Sequence, residues 1–134
     1  MALAEHVAAW SKDPSTRVGC VIVDRHKLVR AMGYNGFPRG VRDTRARLED
    51  RSTKNLLMMH AEANAVMNAT ADLRGCVAYV THRPCASCAG ILIQAGITQI
   101  VTRRPDPAFA DRWAESIAAA DMALEDARVS LVYY

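Results

Sequence analysis

No apolar run in this chain approaches the roughly 20 residues that a membrane-spanning helix needs. Residues 1–10 carry Glu5 and His6 and lack the basic-then-apolar pattern of an export signal, so a cytoplasmic location is expected. Cysteine is scarce, at 4 residues in 134. In a reducing compartment such thiols are expected as metal ligands or buried side chains, not as disulfides. Net charge is only +3, too weak to point to nucleic acid as a partner. No repeat, low-complexity tract or linker divides the chain. Its length suits one domain, 1–134, large enough to bury an apolar core without disulfide staples.

The distribution of charge says more than its sum. Between Arg39 and Lys54 six basic residues face three acidic ones, and from Pro105 onward six acids face two arginines. The basic stretch reads either as a solvated, salt-bridged loop or as a local positive field suited to a small phosphorylated ligand.

The order of elements follows from periodicity and punctuation. Residues 2–11 read as an amphipathic helix with Leu3, Val7 and Trp10 on one face, ended by Asp13-Pro14. Val18–Asp24 and Leu28–Tyr34 are strands of a hairpin, joined at Arg25-His26. Asn35–Gly40 is a glycine- and proline-shaped loop, and 41–54 a long loop with at most one helical turn. A helix follows His60 to about Thr70, with Ala63, Val66 and Met67 toward the core. Cys76–Thr81 is a strand. The next helix starts at Pro84-Cys85 and stops at Gly96. Ile97–Thr102 is a strand, 109–124 a helix with Trp113, Ile117 and Ala120 aligned, and 129–132 a last strand. Alternating strands and helices predict a three-layer α/β/α domain on a five-stranded mixed sheet. The long last crossover makes the final two strands parallel.

One stretch carries chemistry. His60-Ala61-Glu62 precedes Pro84-Cys85-Ala86-Ser87-Cys88. One imidazole and two thiols at helix starts supply three ligands of a tetrahedral zinc and leave the fourth position to water, as catalytic sites do. Cys85 and Cys88 are one helical turn apart and share a side, and positive helix ends favour their anionic form. Glu62 lies near the metal without ligating it, placed to shuttle a proton. H-x-E followed by P-C-x-x-C is the signature of zinc-dependent nucleobase deaminases. Cys20 and Cys76 fall in apolar strands and read as buried hydrophobes. His6, His26 and His82 have no ligand partners and read as solvent-facing. Met58, Met59 and Met67 read as core filler.

Taken with Asp13–Gly19, Gly33-Tyr34-Asn35-Gly36-Phe37-Pro38-Arg39-Gly40, His60–Ala65 and Pro84–Ala89, the chain resembles the deoxycytidylate (dCMP) deaminase family of the cytidine/deoxycytidylate deaminase superfamily over nearly its whole length. The resemblance implies a cytidine-deaminase-like fold. It also implies hydrolysis of dCMP, or a 5-substituted dCMP, to dUMP and ammonia for thymidylate synthesis, with one zinc per subunit. It implies contact of Asn35 with the substrate sugar, Ala61 in the substrate site, and a homo-oligomer, hexamer or dimer. Gly36, Phe37 and Arg39 become candidates for an effector or phosphate, with dCTP and magnesium as the effector. The chain is short for the family and lacks a cysteine- and histidine-rich insertion that binds extra zinc in some members. Arg83 stands where relatives more often carry another residue. With Arg103 and Arg104, which follow a strand at its carboxyl end, it is a candidate for the substrate phosphate. Two alternatives stay open. One is another superfamily deaminase, acting on a tRNA adenosine, guanine, a free nucleoside or a pyrimidine intermediate. The other is an inactive, zinc-stabilised interaction module.

Overall fold

Short runs of β-branched and small residues build the sheet. Its strands are β1 (Gly19–Val23), β2 (Val29–Tyr34), β3 (Val77–Val80), β4 (Gln99–Thr102) and β5 (Ser130–Tyr133). The structure, a computed structural model, describes residues 1–134. The strand order is β2-β1-β3-β4-β5. β1 pairs antiparallel with both β2 and β3, whereas β3, β4 and β5 run parallel. Helices supply the crossovers that parallel pairing demands. The helices are α1 (Ala2–Ala8), α2 (Arg45–Glu49), α3 (Arg51–Leu57), α4 (Ala61–Met67), α5 (Ala86–Gln94), α6 (Pro107–Arg112) and α7 (Ala114–Asp126), with α5 crossing from β3 to β4 and α6 and α7 from β4 to β5.

The sheet has a small face and a large one. On the small face Ala4 and Val7 of α1 pack on Val21. On the large face α4, α5 and α7 close over Cys20, Ile22, Ala78, Val80 and Ile100, all fully buried. This is the expected three-layer α/β/α arrangement, with β4 and β5 parallel. No helix is long and apolar enough to cross a membrane.

Close backbone approach, not bulky packing, sets the helix positions. A Cβ on Gly33 would lie 2.3 Å from Ala65 N and 2.6 Å from Ala61 O, so α4 rests directly on β2. A Cβ on Gly19 would lie 2.1 Å from Ala4 O, so α1 rests on β1 in the same way. That corrects the expected face of α1. Ala4, Val7 and Ala8 are buried, while Leu3 and Trp10 are exposed.

Other expectations change for local reasons. Residues 41–54 are not an open loop. Thr44 and Asp50 cap α2 and α3, accepting from Arg47 N and Thr53 N at 3.4 and 3.0 Å. Each cap satisfies an N–H that a helix start leaves without a partner. The helix expected over 109–124 is two helices, broken at Trp113 (φ −113°, ψ 15°). Asp106 caps the first of them. Trp113 is exposed, and Ala120 and Leu124 take the core positions. Met67, near the end of α4, is 69% exposed and is not core filler. The β1–β2 connection is longer than Arg25-His26, with Lys27 at φ 63°. Cys20 and Cys76 are buried, as expected.

Two glycine substitutions test this packing. Gly33→Ala drives a methyl into the α4 backbone and should destabilise by the upper part of the about 1–3 kcal/mol seen for overpacking. Gly90→Ala, in mid-α5 with open space around its Cβ position, should stabilise by about 0.5–1 kcal/mol. Urea denaturation of both variants measures the two signs.

Candidate active site

Two helix starts converge on one point. His60 is the N-cap of α4 and Cys85 the N-cap of α5, both with extended backbone. A cap residue stands half outside its helix, so imidazole and thiol project from the two ends. Cys88, one turn into α5, joins them from the same side. His60 Nδ1 lies 3.6 Å from Cys85 Sγ and 3.4 Å from Cys88 Sγ. The three ligand atoms all fall within 4.8 Å of one another. A tetrahedral zinc bonded at about 2.1 Å to nitrogen and about 2.3 Å to sulfur sets those atoms about 3.6 Å apart. The donor set therefore fits one zinc ion as it stands. No fourth His, Cys, Asp or Glu belongs to the group, so the chain supplies three ligands of four.

The electrostatics favour a cation here. A hydrogen bond from Cys88, helped by His60, brings the Cys85 thiol down to about 4. The Cys85 sulfur and burial push Cys88 up. The hydrogen bond to Cys85 raises His60. Glu62, in the first turn of α4, is 4% exposed and sits beside Cys88; burial pushes its carboxyl up. A carboxyl so placed takes up a proton more readily than a solvated one.

The remaining predicted residues divide into those around this point and those held elsewhere. Ala61 is fully buried between His60 and Glu62. Gly36 bridges to Met59, N–H to carbonyl in both directions at 3.1 and 2.9 Å, so the glycine-rich stretch is tied to the residue before His60. Asn35 is buried and Phe37 half-buried. Arg39 is exposed and reaches Asn68 Oδ1 at 3.5 Å. The three candidate phosphate arginines do not form a common cluster of free cations. Arg83 is buried, bonded to Asp121 and Tyr133. Arg103 bonds Glu5 and Tyr134. Arg104 lies 4.6 Å over the Tyr133 ring and stands in no ion pair. His82 is half-buried against Phe109, not solvent-facing.

Some contributors carry no motif. Ser116 Oγ of α7 accepts from Ala86 N at 2.9 Å, satisfying a donor at the start of α5. Asp121, one turn further along α7, neutralises Arg83 two residues before Cys85. The acidic excess after Pro105 was the only sequence signal for this contact. A groove of about 420 Å³ runs along β2 beside Trp10, and none of the metal-set residues lines it.

A mixed sheet that brings a His/Cys/Cys set and a buried glutamate to two helix starts defines a zinc-dependent deaminase of the cytidine deaminase superfamily. Residues 1–103 match the cytidine and deoxycytidylate deaminase zinc-binding region, and the chain belongs to that family. It is 41% identical over 131 residues to an uncharacterized deaminase in the luxG 3′ region of Aliivibrio fischeri, a match covering 98% of this chain and 88% of that protein. It is 41% identical over 107 residues to the deoxycytidylate deaminase of Homo sapiens, covering 75% of this chain and 60% of the human enzyme. The chain thus spans little more than half of that relative. The dCMP deaminase of the cyanophage S-TIM5, solved in complex with dCMP and dUMP, superposes with a TM-score of 0.81 at 27% identity, covering 99% of this chain and 92% of that one.

Metal analysis tests the donor set directly. The purified chain should carry one zinc. Cys88→Ala and His60→Ala should each lose it, whereas Cys20→Ala and Cys76→Ala, neither of them in the donor set, should retain it.

Proposed function

We propose that residues 1–134 form one catalytic domain that hydrolyses dCMP to dUMP and ammonia. The observation that carries this reading is the buried Glu62 carboxyl set beside the His60–Cys85–Cys88 cluster and outside it. The names of the human and cyanophage relatives supply the substrate. Bound by the three ligands, zinc would act as a Lewis acid and lower the pKa of a water it holds. Glu62 takes a proton from the attacking water. It passes that proton to the ring nitrogen beside the attacked carbon, then takes the second from the hydroxyl now on that carbon and gives it to the departing amine, so the carbonyl forms as the C–N bond breaks and ammonia leaves. The raised Glu62 carboxyl suits both halves of this shuttle. Ala61, between His60 and Glu62, forms part of the floor of the substrate site.

Asn35 contacts the sugar. Among the arginines, Arg104 fits the phosphate best, because Arg83 and Arg103 already neutralise Asp121 and Glu5. Gly36, Phe37 and Arg39 would meet an effector, carried as dCTP with magnesium. The metal-ligand groups of this chain form only the zinc cluster, so magnesium would arrive with the nucleotide. The working form is a cytoplasmic homo-oligomer, hexamer or dimer.

Loss of the amino-pyrimidine absorbance of dCMP, CMP, deoxycytidine and 5-methyl-dCMP tests the substrate. Fast turnover of dCMP over deoxycytidine is expected. Turnover of none of them would move the substrate to a purine, a tRNA adenosine or another pyrimidine. Glu62→Gln should keep its zinc and lose about 10²–10⁴-fold in kcat; near-normal turnover would remove Glu62 from its role. Arg104→Ala should raise KM for dCMP several-fold and leave deoxycytidine unchanged, and an equal effect on both would count against the phosphate contact.

A further inference from the structure

Lys54 lies in the arginine-rich segment, yet it is buried. Its side chain is 11% exposed and that of its partner Asp13 6%. Lys54 Nζ donates to Asp13 Oδ1 and to Ser15 Oγ, each at 2.9 Å. Asp13 Oδ1 also accepts from Ser15 N at 2.8 Å and Thr16 N at 3.2 Å. Desolvating two charges is repaid only by such a full set of partners. The two residues are 41 apart in sequence, so the pair joins α3 to the loop after α1.

The other carboxylate oxygen has a different job. Asp13 Oδ2 accepts from Asn35 Nδ2 at 3.4 Å, and Thr16 O accepts from the same nitrogen at 2.9 Å. Asn35 Oδ1 accepts from Val18 N at 2.8 Å. The amide has one workable orientation, because a flip would set donor against donor at Val18 and acceptor against acceptor at Thr16 and Asp13. Both hydrogens of the NH₂ group are then used. One lone pair of Oδ1 is left. Asn35 so held offers a ligand an acceptor and no donor.

The sugar of dCMP has one free hydroxyl, at the 3′ carbon, since the 5′ oxygen carries phosphate and the 2′ position has none. We propose that Asp13 and Lys54 are a positioning pair, which fixes the Asn35 amide so that Oδ1 receives this hydroxyl and makes the pair a determinant of sugar specificity. The inference rests on the reading that Asn35 contacts the sugar. Without Lys54 a buried carboxylate loses its cation, and the acceptor that orients Asn35 is no longer held.

The test compares dCMP with 2′,3′-dideoxy-CMP on zinc-loaded wild type, Lys54→Met, Asp13→Asn, Asn35→Ala and Leu48→Ala. Wild type should prefer dCMP by several-fold to about 10-fold, the worth of one neutral hydrogen bond. Lys54→Met should lose that preference through KM for dCMP, with kcat little changed. Asp13→Asn keeps the shape but faces Asn35 with a donor, and should lose the preference as well, so the test survives if Lys54→Met does not fold. Leu48→Ala loosens the same segment from its apolar side and should keep the preference. A preference retained in both Lys54→Met and Asp13→Asn, or lost equally in Leu48→Ala, overturns the proposal. Asn35→Ala separates the two readings. If it keeps the wild-type preference, the sugar contact itself is wrong. The pair is then judged by NMR of the Asn35 side-chain amide, whose protection from exchange should fall in Lys54→Met and whose persistence there overturns the positioning role.

Discussion

Three metal donors from two helices must meet within a few ångströms of one point, and most of the fold answers to that demand. An N-cap residue is where a side chain leaves a helix end-on, so His60 and Cys85 serve as caps at the cost of the usual Ser, Thr or Asp cap bond. Two helix starts can share a point only if both helices lie on the same face of the sheet and their axes are close. Gly33 brings α4 into contact with the β2 backbone, and Ala61 and Ala65 present nothing larger than a methyl there. Parallel pairing of β3 and β4 then carries α5 over the same face. The positive ends of both helices favour a thiolate there, and hydrogen bonds from Cys88 and His60 bring Cys85 down to about 4.

Burial makes the same point reactive. Glu62 is excluded from water by the helix whose start holds His60, so one element fixes a ligand and tunes the carboxyl two residues on. Cys20 lies under it on β1, fully buried, where a larger or charged side chain would displace α4. The packing that seats the metal ligands and the desolvation that raises Glu62 are therefore one construction.

What was legible in the sequence was local. His-x-Glu and Pro-Cys-x-x-Cys identify themselves because their residues lie within one turn of a helix start. The order of strands was legible because β-branched runs alternate with helical periods. The segment 41–54 was misread because its helices are too short to show a period, and only Thr44 and Asp50 mark their starts. The face of α1 was misread because hydrophobicity favours Leu3 and Trp10, while the contact with Gly19 selects alanines. The break at Trp113 has no proline or glycine to announce it. Ion pairs that involve a buried side chain, such as Arg83–Asp121 and Lys54–Asp13, join residues 38 and 41 apart, a distance over which no pattern in one sequence speaks.

Charge illustrates the difference between composition and place. The arginine-rich stretch reads either as a salt-bridged loop or as a positive field, and the fold sorts its members. Arg45 pairs with Glu49 on the surface, where an ion pair contributes little. Lys54 is withdrawn from the surface altogether. At the carboxyl ends of β3 and β4, Arg83 and Arg103 find carboxylates contributed by α7 and α1. Arg104 alone among these three has an aromatic ring and no anion. A guanidinium over a ring keeps its charge available to a third partner, since the ring neutralises nothing. Of the six basic residues between Arg39 and Lys54 only Arg45 and Lys54 stand in ion pairs, so the fold neutralises two members of that stretch, and Arg104 adds a guanidinium without a carboxylate at the end of the parallel strands.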